Sequence, residues 1–239
     1  MHRNMCGLGA LGALALFGGA AQGVVMFTNG SMDGAAGVSL VPNSWINLPQ
    51  GTTDTVIPAA GHPFSSFAGQ GIGAIPYPAS SDGGTFAWSA DYFQDVSSQP
   101  EGLRQTVLGL TVGATYEIEF EFANLGLYNL SGGIATNAFN AGQNYASAGR
   151  WIVRTGILQI GATPVVDYAA AGQQVWQKHK VMFVAPQATI EFRFEANWAS
   201  GNGTHVGMGL DGLTIREIPA PGMLSVAGVV GIAAVRRRR

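Results

Sequence analysis

The chain has 239 residues and a formal net charge of −2 at pH 7, but its charges are unevenly distributed. Residues 22–218 hold all fourteen acidic residues and seven of the twelve basic ones, so this central part has a formal charge of −7. An acidic domain is poorly suited to nucleic acid, which rewards clustered lysine and arginine. The single cysteine, Cys6, lies outside the central part, so disulfides cannot hold that part together.

The first residues are typical of a secretory signal peptide. Arg3 supplies a positive charge, and an uncharged run of Gly, Ala, Leu and Phe extends from Cys6 to Ala21. A basic start, a short apolar core and small residues at its end predict export, with residues 1–21 removed. The alternative is a buried helix, which the repeated glycines of this run disfavour.

The central part, residues 22–218, is predicted to form one all-β domain. Its clearest segment runs from Tyr116 to Phe122, where apolar and acidic residues alternate, so one face is buried and the other is wet. No stretch has a convincing helical period, and Gly-rich turns separate the apolar segments. Strands are predicted at 24–28, 85–93, 103–108, 116–122, 151–160, 175–184, 190–195 and 210–216. Many short strands with such turns are typical of an antiparallel β-sandwich or jelly roll.

Two segments, 50–82 and 129–149, lack this alternation and are rich in residues that favour turns. Both are predicted to be long surface loops, and loops of this length are often functional. Simple disorder is the alternative for each of them.

Exposed aromatic residues are the candidate ligand-binding groups, because the C–H face of a sugar packs on an aromatic ring. Trp88 and Tyr92 are separated by an even number of residues on one predicted strand and should share a face. Trp198 precedes the Gly-rich turn at 200–203 and is the third candidate. The alternative for each ring is packing in the core.

The sequence gives less support for catalysis. Acidic residues recur on the wet face of the strand at 116–122, a pattern that more often serves solubility than chemistry. No Gly-x-Ser-x-Gly nucleophile motif is present, and His62, His179 and His205 are scattered without a metal-binding spacing. We therefore expect no enzymatic activity, whereas a buried pair of carboxylates in a cleft would support a hydrolase.

Three segments of the central part together resemble the galactose-binding-like jelly rolls, which include carbohydrate-binding modules of secreted bacterial proteins. The first is Asn-Gly-Ser-Met-Asp at 29–33. The second is Leu-Arg-Gln-Thr-Val at 103–107, followed by Gly-Leu-Thr-Val-Gly-Ala-Thr-Tyr at 109–116. The third is Leu-Asp-Gly-Leu-Thr-Ile at 210–215. The resemblance implies a jelly-roll fold and a carbohydrate ligand.

The same resemblance implies one structural calcium ion. Related jelly rolls often bind this ion through the acidic residue of the first motif and the Asp of the last, which correspond here to Asp33 and Asp211. Calcium prefers six to eight oxygen ligands. The sequence departs from the family in having Asp rather than Glu at position 33 and Gly212 in place of Asn. The alternative is that Asp33 caps a turn and Asp211 accepts hydrogen bonds from loop amides.

The last residues form a tripartite tail: a short Pro motif, an apolar run at 223–235 and a terminal arginine cluster. This order resembles the PEP-CTERM sorting signal of bacteria that carry an exosortase, although the usual Pro-Glu-Pro is Pro-Ala-Pro here. The apolar run is shorter than the ~20 residues that span a bilayer comfortably, and arginines favour the cytoplasmic side. A plain C-terminal anchor is the alternative. The residues of the predicted sorting motif are Pro219, Ala220, Pro221, Gly222, Arg236, Arg237, Arg238 and Arg239.

These features predict an exported, non-catalytic protein at the cell envelope, the outer surface or the extracellular matrix. Its expected partners are the Sec export machinery, an exosortase, the inner membrane in transit and an extracellular polysaccharide, but no nucleic acid. Two alternatives stay open. One is a structural envelope or matrix protein without a specific ligand, and the other is a secreted glycoside hydrolase.

Overall fold

The computed structural model describes residues 25–49, 51–64, 72–73, 75–92, 100–129, 131–135, 144–201 and 203–219. The predicted signal peptide at 1–21, the apolar run at 223–235 and the sorting motif from Ala220 onward lie outside these residues. Within the described ranges, no helix is long and apolar enough to cross a membrane.

The described residues form ten strands and one short 3-10 helix, Pro58–Ala60. The strands are β1 Ile46–Asn47, β2 Asp54–Val56, β3 Phe86–Tyr92, β4 Gly102–Leu108, β5 Thr115–Asn124, β6 Ser147–Thr155, β7 Leu158–Ala162, β8 Gln177–Val184, β9 Thr189–Gly201 and β10 His205–Ile218. They form two five-stranded sheets, ordered β1-β4-β9-β6-β7 and β2-β3-β10-β5-β8, and their paired strands are antiparallel. The prediction of an antiparallel β-sandwich is confirmed.

The alternation that predicted β5 also explains its packing. Phe120 points into the space between the sheets and meets Phe194 of β9 edge to face, with ring centroids 5.6 Å apart. Glu117 lies on the opposite face, where its Oε1 accepts hydrogen bonds from Lys180 and Arg216. Burial of the apolar face therefore joins the two sheets, while ion pairs cover the acidic face.

Two strand predictions were wrong in detail. The segment 151–160 is part of a hairpin, because Gly156, with φ of +59°, turns the chain between β6 and β7. Residues 25–28 form no strand, although Phe27 is buried. The side-chain amide of Gln105 instead satisfies the backbone of Thr28, accepting from its N–H at 2.7 Å and donating to its C=O at 2.9 Å.

The predicted loop at 50–82 contains secondary structure, namely β2 and the 3-10 helix. A second apolar cluster lies against this region. Phe86, Trp88 and Ala90 of β3 belong to this cluster, whereas Ala87 between them belongs to the core between the sheets. Because successive strand residues point to opposite faces, the second cluster lies on the outer face of the β2-β3-β10-β5-β8 sheet.

Candidate functional site: an aromatic cavity with two carboxyl groups

The outer face of this sheet carries the candidate site. Asp54 of β2 is paired in register with Trp88 of β3, and Tyr92 at the end of β3 is paired with His205 of β10. Directly paired residues share a face, so three strands present these four side chains to the same side. A Cβ on Gly207 of β10 would lie 2.5 Å from the Trp88 ring, so glycine at this position makes room for the indole.

A cavity of about 360 Å³ opens on this face, at the small end of the ~300–1,000 Å³ range of ligand pockets. Loop residues complete its wall beside the strand residues. Its lining consists of Val38, Thr52, Asp54, Phe64, Trp88, Ala90, Tyr92, Glu101, Tyr145 and His205.

The aromatic part of the wall is a continuous series of ring contacts. Tyr92 stacks on His205 with centroids 5.3 Å apart, His205 contacts Tyr145 at 5.0 Å, and Tyr145 contacts Trp88 at 6.0 Å. Trp88 is buried, and its indole N–H donates to the carbonyl of Gly126 at 3.1 Å. Tyr92 is 37% exposed, so the series runs from the buried end of the cavity to its open edge.

Two carboxyl groups lie in the same cavity. Asp54 is 1% exposed, and its Oδ1 accepts the backbone N–H of Ser39 at 2.6 Å. Oε2 of Glu101 accepts the backbone N–H of Ala90 at 2.7 Å. Burial raises the pKa of Asp54 to about 7 and that of Glu101 to about 8, and the negative charge of Asp54 adds to the rise at Glu101. Both groups therefore titrate near neutral pH.

His62 lies beside Asp54 but does not neutralise it. Its Nδ1 accepts the backbone N–H of Phe64 at 3.2 Å, which assigns the proton to Nε2, and Nε2 lies 3.4 Å from Oδ2 of Asp54. Complete burial lowers the pKa of His62 to about 3, so the ring is neutral at pH 7. Nε2 has no hydrogen-bond partner within the described part of the chain.

No protein-family model and no curated protein matches this chain. Among solved structures, it is similar to the Stig cyclase Fisc from Fischerella sp. TAU, with 14% identity and a TM-score of 0.52 over 82% of this chain and 98% of that one. That cyclase was solved in complex with (3Z)-3-(1-methyl-2-pyrrolidinylidene)-3H-indole. At this identity the likeness shows the fold alone.

Two further solved structures match with lower TM-scores. One is the K1 cleaved adhesin domain of Lys-gingipain from Porphyromonas gingivalis W83, with 12% identity and a TM-score of 0.39 over 75% of this chain and 94% of that one. The other is the CBM22-1-GH10 part of xylanase 10B from Clostridium thermocellum, complexed with xylohexaose. It has 13% identity and a TM-score of 0.40 over 80% of this chain and 28% of that one.

The structure brings together two of the three predicted ligand-binding residues. Trp88 and Tyr92 both line the cavity. Trp198 does not line it, because it lies on β9 of the other sheet. Its indole N–H there donates to Oγ of Ser147 at 2.8 Å, and its backbone N–H donates to Asp91.

The two predicted calcium ligands lie in segments that meet, since the N–H of Leu213 donates to the carbonyl of Gly30 at 2.8 Å. Asp33 accepts a hydrogen bond from the hydroxyl of Ser31, and buried Asp211 accepts from the hydroxyl of Ser80 and the N–H of Gly212. Burial raises the pKa of Asp211 to about 7.

In the parts of the chain that are described, no group of three or more His, Cys, Asp or Glu residues could hold a metal ion. The calcium ion thus stays a prediction.

Sequence reasoning predicted only two of the ten residues that line the cavity, and four of the missed residues carry its carboxyl, imidazole and second phenol groups. Asp54 and Tyr145 lie in segments predicted to be loops, and Glu101 immediately precedes β4. His205 was noted but considered isolated, because only the pairing of β3 with β10 places it on Tyr92. The only available signal was the shared parity of Trp88 and Tyr92.

Proposed function

We propose that the cavity binds a sugar residue of an extracellular polysaccharide, and that the protein is an exported, non-catalytic glycan-binding component of the cell surface or matrix. This proposal rests on one observation, namely that an aromatic series and two carboxyl groups line the same cavity. Rings accept the apolar C–H face of a sugar, and carboxyl oxygens accept hydrogen bonds from its hydroxyls.

The two ends of the chain provide the location in this proposal. The signal peptide at 1–21 would direct the chain to the Sec machinery. The tail would hold it briefly in the inner membrane, until an exosortase recognises the motif from Pro219 to Gly222. The central domain would then face the outside, where polysaccharide is abundant.

The test is to titrate polysaccharides of different backbone chemistry into the protein lacking residues 1–21, with Tyr92→Ala and Tyr168→Ala as matched variants. Tyr92 and Tyr168 are similarly exposed, at 37% and 44%, but only Tyr92 lines the cavity. Loss of one stacking ring should weaken binding about tenfold in Tyr92→Ala and leave Tyr168→Ala unchanged. Absence of binding to every polysaccharide by a folded protein would instead favour the structural envelope role.

Glycoside hydrolysis is the second candidate, because Asp54 and Glu101 are a pair of carboxyl groups within one cavity. A carboxyl group whose pKa is raised to about 8 stays protonated at pH 7 and can act as a general acid. The measurement is the release of reducing ends from any polysaccharide that binds. Turnover that Glu101→Gln abolishes would replace the non-catalytic proposal, whereas binding without turnover would support it.

A further inference from the structure

The cavity has an unusual charge balance. Two carboxyl groups line it, yet no lysine or arginine of the described residues does so. The two nearby imidazoles do not compensate for the carboxyl charge, because burial lowers the pKa of both His62 and His205. A negative charge in a cavity without a positive partner is costly, so these carboxyl groups tend to keep their protons, and a ligand that brings its own cation would allow them to ionise.

The two carboxyl groups differ in their hydrogen bonding, and that of Asp54 is incomplete. Asp54 uses Oδ1 for the N–H of Ser39, while Oδ2 has only the 3.4 Å approach of His62 within the described ranges. Glu101 uses Oε2 for the N–H of Ala90, and the backbone N–H and the hydroxyl of Thr52 also interact with this carboxyl group. Oδ2 of Asp54 is therefore available to a strong donor, and the carboxyl group of Glu101 can accept a further hydrogen bond because each of its oxygens has two lone pairs.

The aromatic wall of the cavity favours an organic ammonium group over a metal ion. An ammonium group is attracted to the faces of Trp and Tyr rings, and Trp88, Tyr92 and Tyr145 all line the cavity. A divalent metal ion would need more oxygen ligands than the two carboxyl groups provide. A quaternary ammonium has no N–H groups for the two carboxyl oxygens, whereas a primary ammonium has three.

We propose that the ligand is a polysaccharide with free amino groups, whose ammonium lies between Asp54 and Glu101 while its sugar ring packs on the aromatic wall. This inference rests on the proposed glycan-binding function and specifies its ligand class. It distinguishes an amino sugar from the neutral or N-acetylated sugar with the same backbone, because only the free amine carries both the charge and the three donors.

The test compares three β-1,4-linked tetrasaccharides that differ only in the group at C2: a free amine, an N-acetyl group or a hydroxyl. Affinities are measured at pH 6.5 and physiological salt with the protein lacking residues 1–21. The free-amine tetramer should bind about tenfold more tightly than either neutral tetramer, since a charge-assisted hydrogen bond is about twice as strong as a neutral one.

The central part carries a charge of −7, so a matched pair of variants must exclude general attraction for a polycation. Glu101→Gln and Asp167→Asn each replace one carboxyl group by an amide that cannot ionise, but Asp167 is exposed and does not line the cavity. The ratio of the affinities for the free-amine tetramer and the neutral tetramers should fall to about one in Glu101→Gln and stay near ten in Asp167→Asn. Tyr92→Ala should lower the affinity for all three tetramers by the same factor. This variant tests whether the tetramers bind in the cavity even if Glu101→Gln fails to fold.

The outcomes separate this inference from the proposed function. Equal or tighter binding of a neutral tetramer would overturn the amine preference and leave glycan binding intact. An equal loss in Glu101→Gln and Asp167→Asn would also overturn it, because the attraction would then be general. Binding of n-butylammonium chloride without binding of any tetramer would retain the cation site but overturn glycan binding. No binding of any of these probes by the folded protein would overturn both.

Discussion

Replacing Glu101 by Gln should stabilise the ligand-free protein above neutral pH. Oε2 of Glu101 accepts the Ala90 N–H, which the amide oxygen of Gln can also accept. The new NH₂ group can donate to the Thr52 hydroxyl, which already contacts Oε1 at 3.4 Å. The substitution therefore keeps the shape and the hydrogen bond from Ala90, gives up the interaction with the Thr52 N–H, and removes the ionisable proton and the charge that appears when this proton leaves.

The magnitude follows from the change of pKa on folding. The pKa of Glu101 is raised from 4.5 to about 8, so the folded state binds the proton more tightly than the unfolded state. This contributes stability that is complete below the unfolded pKa and is lost as the pH rises through the folded pKa. At ~1.4 kcal/mol per pH unit, the upper limit of this loss is roughly 5 kcal/mol. Structural relaxation and coupling to Asp54 reduce it, and we expect about 2 kcal/mol or more between pH 5 and pH 9.

The assay is urea unfolding from pH 5 to pH 9, followed by tryptophan fluorescence, for the wild type, Glu101→Gln and Asp167→Asn. The free energy of unfolding should decline with pH in the wild type and in Asp167→Asn, and the decline should be shallower in Glu101→Gln. Carboxylates with lowered pKa, such as Glu117, affect stability in the opposite direction, but they do so below their ordinary pKa of 4.5. Parallel curves for all three proteins would refute the view that the ionisation of half-buried Glu101 opposes folding.

The remaining predictions concern the packing of the cavity, the metal ion and the tail. Gly207→Ala places a Cβ within 2.5 Å of the Trp88 ring and should cost about 1–3 kcal/mol in urea unfolding while it shifts tryptophan fluorescence; an unaltered protein would contradict this close contact. If calcium binds through Asp33 and Asp211, a chelator should lower the midpoint of thermal unfolding by several degrees, and an unchanged midpoint would remove the metal site. Truncation after Gly222 should release the protein from the membrane fraction into the medium, and continued membrane association would argue against the sorting tail.

The sheets were predictable from the sequence because their signal is local. A strand such as β5 shows its buried and wet faces in consecutive residues, so alternation alone located it. The same period of two placed Trp88 and Tyr92 on one face. The hairpin between β6 and β7 was missed because its only turn signal is Gly156 within an otherwise strand-like run. One glycine is weak evidence for a turn, since glycine also occurs inside strands.

Most of the cavity could not be predicted, because it depends on pairing between distant segments. β2 has three residues, too few to display an alternating pattern, and its position beside β3 is what brings Asp54 to the cavity. His205 reaches Tyr92 through a register that aligns two strands more than a hundred residues apart in sequence. Glu101 is placed by its hydrogen bond to Ala90 rather than by any pattern around it.

The protein has two kinds of carboxyl group, and measurements of unfolding free energy and ligand affinity should distinguish them. Glu117 is surrounded by Lys180 and Arg216, which together with their hydrogen bonds lower its pKa, so its removal should destabilise the fold and leave ligand affinity unchanged. Glu101 has no such partner in the described part of the chain, so its ionisation opposes folding until a cation enters the cavity. An ammonium ligand would supply the missing positive charge, and its binding would therefore increase the free energy of unfolding. Opposite effects of Glu101→Gln, with stability raised and amine affinity lowered, would thus mark Glu101 as a group that serves the ligand rather than the fold.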